Sequence, residues 1–118
     1  MTVTSRDVAR FARRSRYDKK AGALFSRAKR LHGGRPNGFI SGRQLYGLWL
    51  AQDGRCAYCG EKFPERFMTV DHIIPLSRPG GVNAVWNACW ACKRCNSQKQ
   101  DRTADEYLAW LAAKQQAA

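Results

Sequence analysis

Acidic side chains are scarce in the first half of this 118-residue chain. Residues 1–50 hold 2 Asp/Glu against 12 Lys/Arg, whereas residues 51–118 hold 7 against 9. The formal net charge of +12 therefore sits mostly on the first fifty residues. A surface made basic only for solubility would not clear acids from one half alone. The asymmetry fits a polyanionic partner, nucleic acid before membrane. Long apolar runs are also missing: the longest, Tyr107 to Ala113, has seven residues, against roughly 18–20 for a membrane span. Met1 to Arg14 has no apolar h-region, so it does not read as a secretory signal. Its Arg-rich, amphipathic character also resembles an organellar transit peptide, which Asp7 and Asp18 disfavour. The expected location is the cytoplasm of a bacterium, for a bacterial or phage-encoded protein. There is no low-complexity tract, and the length suits one domain with a thin core.

Cysteine is present in an odd number, five. With no export signal, a disulfide framework is a poor reading and metal binding a better one. Cys56 and Cys59 form one C-x-x-C; Cys92 and Cys95 form another, 33 positions beyond Cys59. Two such knuckles supply four thiolates, the soft tetrahedral set that suits structural Zn²⁺. Cys89 also makes C-x-x-C with Cys92, so spacing alone leaves a swapped set open. It is expected instead as a small buried residue.

Apolar residues recur at three- and four-residue steps from Val8 to Leu31, which predicts helix over Thr4–Leu31. Thr4 with Asp7 outlines a capping box. Gly22 interrupts the pattern, so two helices jointed near Asp18–Gly22 are as compatible as one. Arg10, Arg13, Arg14, Lys19, Lys20, Arg27, Lys29 and Arg30 crowd the other faces as candidate nucleic-acid contacts. Ser41 is placed to cap a short helix carrying Leu45, Leu48 and Trp49, which are expected in the core, as are Tyr58 and Phe63 around the zinc. Phe67 to Ile74 is β-branched and aromatic enough for a strand, Ala84 to Trp86 for a second. A helix is expected from Cys92 to about Arg102. Thr103 with Glu106 caps a last one carrying Tyr107, Leu108, Trp110 and Leu111.

Between the knuckles lies Asp71-His72, a hard oxygen ligand beside a base that titrates near neutrality. Neighbouring strand residues face opposite ways unless a strand end redirects them, so the pair can take two jobs around one phosphate. Asn87 precedes the second knuckle. Asn96 and Lys99 follow it on one helix face, an oxygen donor and a cation. Singly each is ordinary. Together, in a basic protein with zinc knuckles, they point to metal-assisted phosphodiester chemistry.

In order, C-A-Y-C-G, V-D-H-I-I-P-L, W-N-A-C-W-A-C-K-R-C-N and S-Q-K-Q-D-R-T resemble the HNH endonuclease family, over about Ile40 to Thr103. The resemblance implies an α+β fold with a ββα-metal (His-Me finger) core and structural zinc. A basic helical segment, 1–36, would precede the nuclease domain, 37–118, which ends in a C-terminal helix. It implies that His72 is the general base and Asp71 a ligand of the catalytic cation. Asn87 would brace the loop and the base, and Lys99 would be a basic residue near the scissile phosphate. Asn96 stands where the third letter of the motif is often His. This H-N-N variety fits Mg²⁺ or Mn²⁺ better than a softer ion. The implied reaction is one-cation hydrolysis of DNA, leaving 5′-phosphate and 3′-hydroxyl ends. The setting stays open between a phage packaging nuclease, a homing enzyme and a restriction component, each with its partner protein. The rival reading is a zinc-ribbon nucleic-acid-binding module without catalysis, in which Asp71-His72 is incidental.

Overall fold

The structure is a computed structural model. It describes the backbone of residues 5–34 and 37–116, with side chains from residue 16 onward in those ranges. The expected Thr4–Asp7 capping box and the side chains of Arg10, Arg13 and Arg14 lie outside the described residues.

Helix α1 spans Ser5–Leu31. It runs unbroken through Gly22, which correspondingly faces solvent. A mid-helix glycine costs about 1 kcal/mol. The buried stripe of Tyr17, Ala21 and Ala28 continues on both sides of it and holds the helix together. Helix α2, Gly42–Ala51, begins at Ser41. The Ser41 hydroxyl accepts the Gln44 N–H at 3.1 Å, and the Gln44 side chain accepts the Ser41 N–H at 2.9 Å. Gly42 is where the two helices meet. A Cβ there would lie 2.7 Å from the Asp18 backbone nitrogen, so no larger residue allows this approach.

Strands β1, Met68–His72, and β2, Ala88–Cys92, form a two-stranded antiparallel sheet. In its register Asp71 faces Cys89 and His72 faces Ala88. The second strand is not at Ala84 to Trp86, where sequence pattern suggested it. That stretch leads into a 3₁₀ turn, Val85–Asn87, and pairing begins at Ala88. All five residues of β2 are buried. A strand buried on both faces shows no alternation, and here it is also hidden inside the run that carries the cysteines. Strand β1 is shorter than expected too. Phe67 belongs to a preceding 3₁₀ turn.

Helix α3, Lys93–Lys99, follows directly on β2. It stops at Gln100, whose φ of +53° ends the run short of Arg102. Helix α4, Ala104–Gln116, opens on the expected Thr103–Glu106 capping box. Its buried face holds Tyr107, while Leu108 is exposed.

The core gathers around Trp90, which is fully buried in the middle of β2. Its indole N–H donates to the Leu45 carbonyl at 2.9 Å. Tyr17 and Trp49 meet it edge-on, with ring centroids 5.9 and 5.3 Å away. The Gln52 side chain clasps the open edge of β2. It accepts from Trp90 N at 2.8 Å and donates to Trp90 O at 2.9 Å. This satisfies a strand edge that would otherwise bury unpaired backbone groups. Through Tyr17 and Ala21, α1 shares one core with α2, the sheet and the four knuckle cysteines. The change in charge near residue 50 is thus a boundary in composition that the packing crosses.

Candidate active site and metal centres

The four knuckle cysteines converge. The sulfurs of Cys56, Cys59, Cys92 and Cys95 lie within 4.8 Å of one another. Tetrahedral zinc with Zn–S bonds of about 2.3 Å places its ligands about 3.8 Å apart, so the set fits zinc after slight contraction. Two backbone N–H groups already point at sulfur: Tyr58 N at Cys56 Sγ and Cys95 N at Cys92 Sγ, both 3.4 Å. Such bonds stabilise thiolate character in a metal knuckle. Burial pushes the Cys95 thiol up to about 12, and the neighbouring sulfurs act in the same direction. A divalent cation at the centre removes that penalty. Cys89 stands outside the cluster, buried, with its S–H directed to the Tyr58 hydroxyl at 3.4 Å. The swapped set is not the one the fold assembles.

Beside this centre an open cleft of about 430 Å³ is bordered by Asp71, His72, Asn96, Lys99, Arg27 and Ser77, among others. Asp71 and His72 both reach it, because β1 ends there. His72 is almost fully buried, and its Nε2 lies 2.9 Å from Asn83 Oδ1. Burial holds its pKa below the usual imidazole value, and the charges of Arg27 and Lys99 act the same way. The Asn83 hydrogen bond and the Asp71 charge oppose the shift without cancelling it. The ring is therefore neutral at pH 7, as a base must be.

Asp71 is held by two donors on one oxygen. The Tyr58 hydroxyl donates to Oδ2 at 2.5 Å, and Lys99 Nζ lies 3.1 Å from the same atom. Burial keeps the Tyr58 phenol far above its ordinary pKa, so it remains a donor. Both partners fall on Oδ2, leaving Oδ1 for a ligand. Asn96 is oriented in a comparable way. Its amide N–H₂ donates to Thr69 Oγ1 at 2.8 Å, so its carbonyl oxygen is the free end. Two oxygen donors of this kind on one cleft fit a hard divalent cation.

Asn87 braces the loop after β1. Its amide accepts from Ile74 N at 2.9 Å and donates to Ile74 O at 3.0 Å and Val82 O at 2.9 Å. It holds the loop rather than the base; the hydrogen bond to the imidazole is made by Asn83. The same loop closes on itself at Gly81, where a Cβ would sit 1.9 Å from the Pro75 carbonyl oxygen. Lys99 borders the same cleft with its ammonium turned inward. Its side chain is fully buried, donating to the His72 carbonyl at 3.0 Å and pairing with Asp71. An ammonium so enclosed orders Asp71.

Removing that ammonium has a predictable cost. Lys99→Met leaves a carboxylate and a carbonyl without their donor, and breaking one half of a buried pair costs about 3–5 kcal/mol. The low end is expected, because Asp71 opens onto the cleft where water can reach it. Urea unfolding of the zinc-loaded protein measures this loss. A change under ~1 kcal/mol would show that the pair carries little.

Of the α1 basic residues singled out from sequence whose side chains are described, Arg27 borders this cleft, while Lys19, Lys29 and Arg30 are exposed elsewhere on α1. Lys20 lies over the Trp90 ring, 5.5 Å from its centroid. Sequence reasoning took Tyr58 for core and passed over Asn83 and Thr69. For Asn83 no signal existed, since it lies eleven positions from His72 across a Pro-Gly-Gly loop.

The HNH endonuclease family model matches residues 56–109. Two curated relatives are CRISPR-associated endonucleases Cas9. The one from Corynebacterium diphtheriae is 38% identical over 48 residues, and the one from Actinomyces naeslundii 37% over 46. The matches take in 41% and 39% of this chain but only 4% of either relative. The crystal structure of the Type II-C Cas9 enzyme from Actinomyces naeslundii aligns with 82% of this chain and 10% of its own, at 29% identity and a TM-score of 0.46. Residues 56–109, which carry both knuckles, His72, Asp71, Asn87 and Asn96, belong to the HNH endonuclease family.

Proposed function

We propose that this chain is a metal-dependent endonuclease that hydrolyses DNA phosphodiester bonds, with His72 as general base and Mg²⁺ or Mn²⁺ as the catalytic cation. One observation carries the reading. A buried, neutral imidazole shares a cleft with two free oxygen donors, those of Asp71 and Asn96, and with the exposed guanidinium of Arg27. His72 takes a proton from water as that water attacks phosphorus in line with the leaving 3′-oxygen. A cation held by Asp71 and Asn96 would polarise a phosphate oxygen and stabilise charge on the leaving group. Lys99 and Tyr58 hold Asp71, Thr69 holds Asn96, and Asn87 holds the loop behind the base. A structural zinc would join the first knuckle, which carries Tyr58, to the end of β2 and the start of α3, which carries Asn96. A phage packaging or restriction setting in the cytoplasm would bring the basic surface of α1 to double-stranded DNA.

A non-catalytic zinc ribbon needs none of the bonds to Asp71 and His72. The reading is tested by incubating supercoiled plasmid with the zinc-loaded protein across Mg²⁺, Mn²⁺, Ca²⁺ and chelator. Nicked circles are expected with Mg²⁺ or Mn²⁺ only. Intact plasmid at every metal, with DNA bound, would support the ribbon instead. Linear, single-stranded and RNA substrates in the same series assign the preferred polymer.

Arg27 belongs to a segment outside the matched family region yet faces the reacting groups. Arg27→Ala is expected to weaken DNA binding and to reduce the log–log salt slope by about 0.9, the release of one phosphate contact. Zinc content should not change. An unaltered slope would remove Arg27 from the substrate path.

A further inference from the structure

His72 has two ring nitrogens, and the fold has already used one. Nε2 lies 2.9 Å from Asn83 Oδ1, and both side chains are buried, Asn83 completely. An amide oxygen only accepts, so the nitrogen facing it must carry the proton. That leaves the lone pair on Nδ1. We infer that Asn83 is the positioning residue of the base: it fixes the Nε2–H tautomer of His72 and so assigns proton abstraction to Nδ1. The inference rests on the nuclease reading for its consequence, but not for its observation.

The Asn83 amide sits in a closely packed loop. Two buried side-chain atoms near this loop have no partner among the described residues, Asn83 Nδ2 and Asn37 Oδ1. They are a donor and an acceptor. Asn37 reaches the same loop by donating to the Gly81 carbonyl at 2.9 Å. The next residue, Gly38, packs so tightly that a Cβ on it would meet the Asn83 carbonyl oxygen. Turning the Asn83 amide over would set Nδ2 against His72 Nε2 and leave Oδ1 unpartnered in its stead, so the two orientations differ in the tautomer they impose. It would also force the His72 proton onto Nδ1, where the ring could no longer accept one from water.

The position is held from several sides. Asn87 ties Ile74 and Val82 together, and Ala84 N donates to Val82 O at 3.0 Å, so the backbone on both sides of Asn83 is fixed. The arrangement has the logic of a hydrolase triad, in which a third group sets the tautomer and the facing of an imidazole. Here the third group is neutral, so it orients the ring without adding charge beside the phosphate. The proton path balances simply. Water gives its proton to Nδ1, the resulting hydroxide bonds phosphorus, and the bond from phosphorus to the 3′-oxygen breaks; the 3′-oxygen takes a proton from solvent water, and the imidazolium returns one to solvent.

The test is nitrogen-15 NMR on zinc-loaded protein labelled at histidine, above pH 7.5, with His72 assigned by the signals missing in His72→Ala. The wild-type ring should show protonated Nε2, bare Nδ1 and a long-lived Nε2–H proton. Asn83→Ala and the volume-filling Asn83→Leu should lose that long-lived proton and drift toward a mixture of tautomers. Their kcat for plasmid nicking should fall about 10–100-fold, the effect usual for an outer-shell partner, with KM for DNA unchanged. Asn83→Asp keeps the acceptor and should retain the Nε2–H signal. A wild-type proton on Nδ1 overturns the inference even if the variants fail to fold. So does a long-lived Nε2–H signal that persists in both Asn83→Ala and Asn83→Leu. A wild-type ring with the expected tautomer but no nicking at any metal would instead overturn the nuclease reading and leave the Asn83 anchor standing.

Discussion

Cys92→Ser is expected to unfold the domain instead of merely weakening it. Structural zinc in a four-thiolate site contributes roughly 10–16 kcal/mol of binding free energy at neutral pH. The whole stability of a domain this size is about 5–15 kcal/mol. The dependence is acute here because of what the metal joins. The sheet has two strands of five residues, and a hairpin-sized sheet is marginal alone. Cys92 is the last residue of β2, pairs across to Met68, and caps α3 through its sulfur. Cys56 and Cys59 bring in the first knuckle and with it Tyr58, whose hydroxyl holds Asp71. Losing one ligand therefore loosens strand, helix cap and the Asp71 carboxylate together. The measurement is metal content with near- and far-ultraviolet circular dichroism, before and after a strong chelator. Cys89→Ala is the control, expected to keep one zinc per chain and its near-ultraviolet signal. A Cys92→Ser protein that stays folded and cooperative would show that the hydrophobic core suffices.

His72→Ala is the second large effect, and it should leave structure alone. A general base contributes about 10²–10⁴-fold to a rate, so nicking should fall by that order while zinc content and DNA binding persist. Trimming the imidazole leaves Asn83 Oδ1 without its partner, so about 1–3 kcal/mol of stability should go with it. That loss is small enough to keep the protein folded at room temperature. The two variants thus separate the two metal centres. One should destroy the fold and with it the activity; the other should destroy the activity and spare the fold. Retained nicking by purified His72→Ala protein would remove His72 from the role of base.

Much of the site was legible because its chemistry is local in sequence. C-x-x-C fixes two sulfurs on one tight turn, and two such turns suffice to imply four ligands. The Ser41 and Thr103 capping boxes were equally readable, since every group involved lies within three residues. The errors came where pairing partners lie far apart. Strand β2 shows no alternation because the sheet is covered on both faces, so its position could not be read from period. Lys99 reads from sequence as a phosphate-binding charge, because nothing in its neighbours says that β1 will lie across α3 and place Asp71 3.1 Å from its ammonium. Tyr58 read as a core residue, and its ring does pack, at 5.3 Å from Tyr107. Its hydroxyl is functional only because β1 passes beside the first knuckle.

The scarcity of acids in the first fifty residues carries the same division. The sequence alone determined that this half is basic and largely helical, that four cysteines form a metal site, and that Asp71-His72 lies between them. Those are matters of composition and of spacing along a few turns of chain. Only the tertiary structure decided that the basic helix is no separate arm. Tyr17 and Ala21 bury it in the shared core, Gly42 lets it approach α2, and Arg27 is thereby brought to the cleft. Only the tertiary structure, likewise, turned Lys99 inward and set Asn83 against His72. The physical reason is one of range. Caps, knuckles and charge runs are set by covalent neighbours, whereas buried ion pairs and ring tautomers are set by what packing brings across tens of residues.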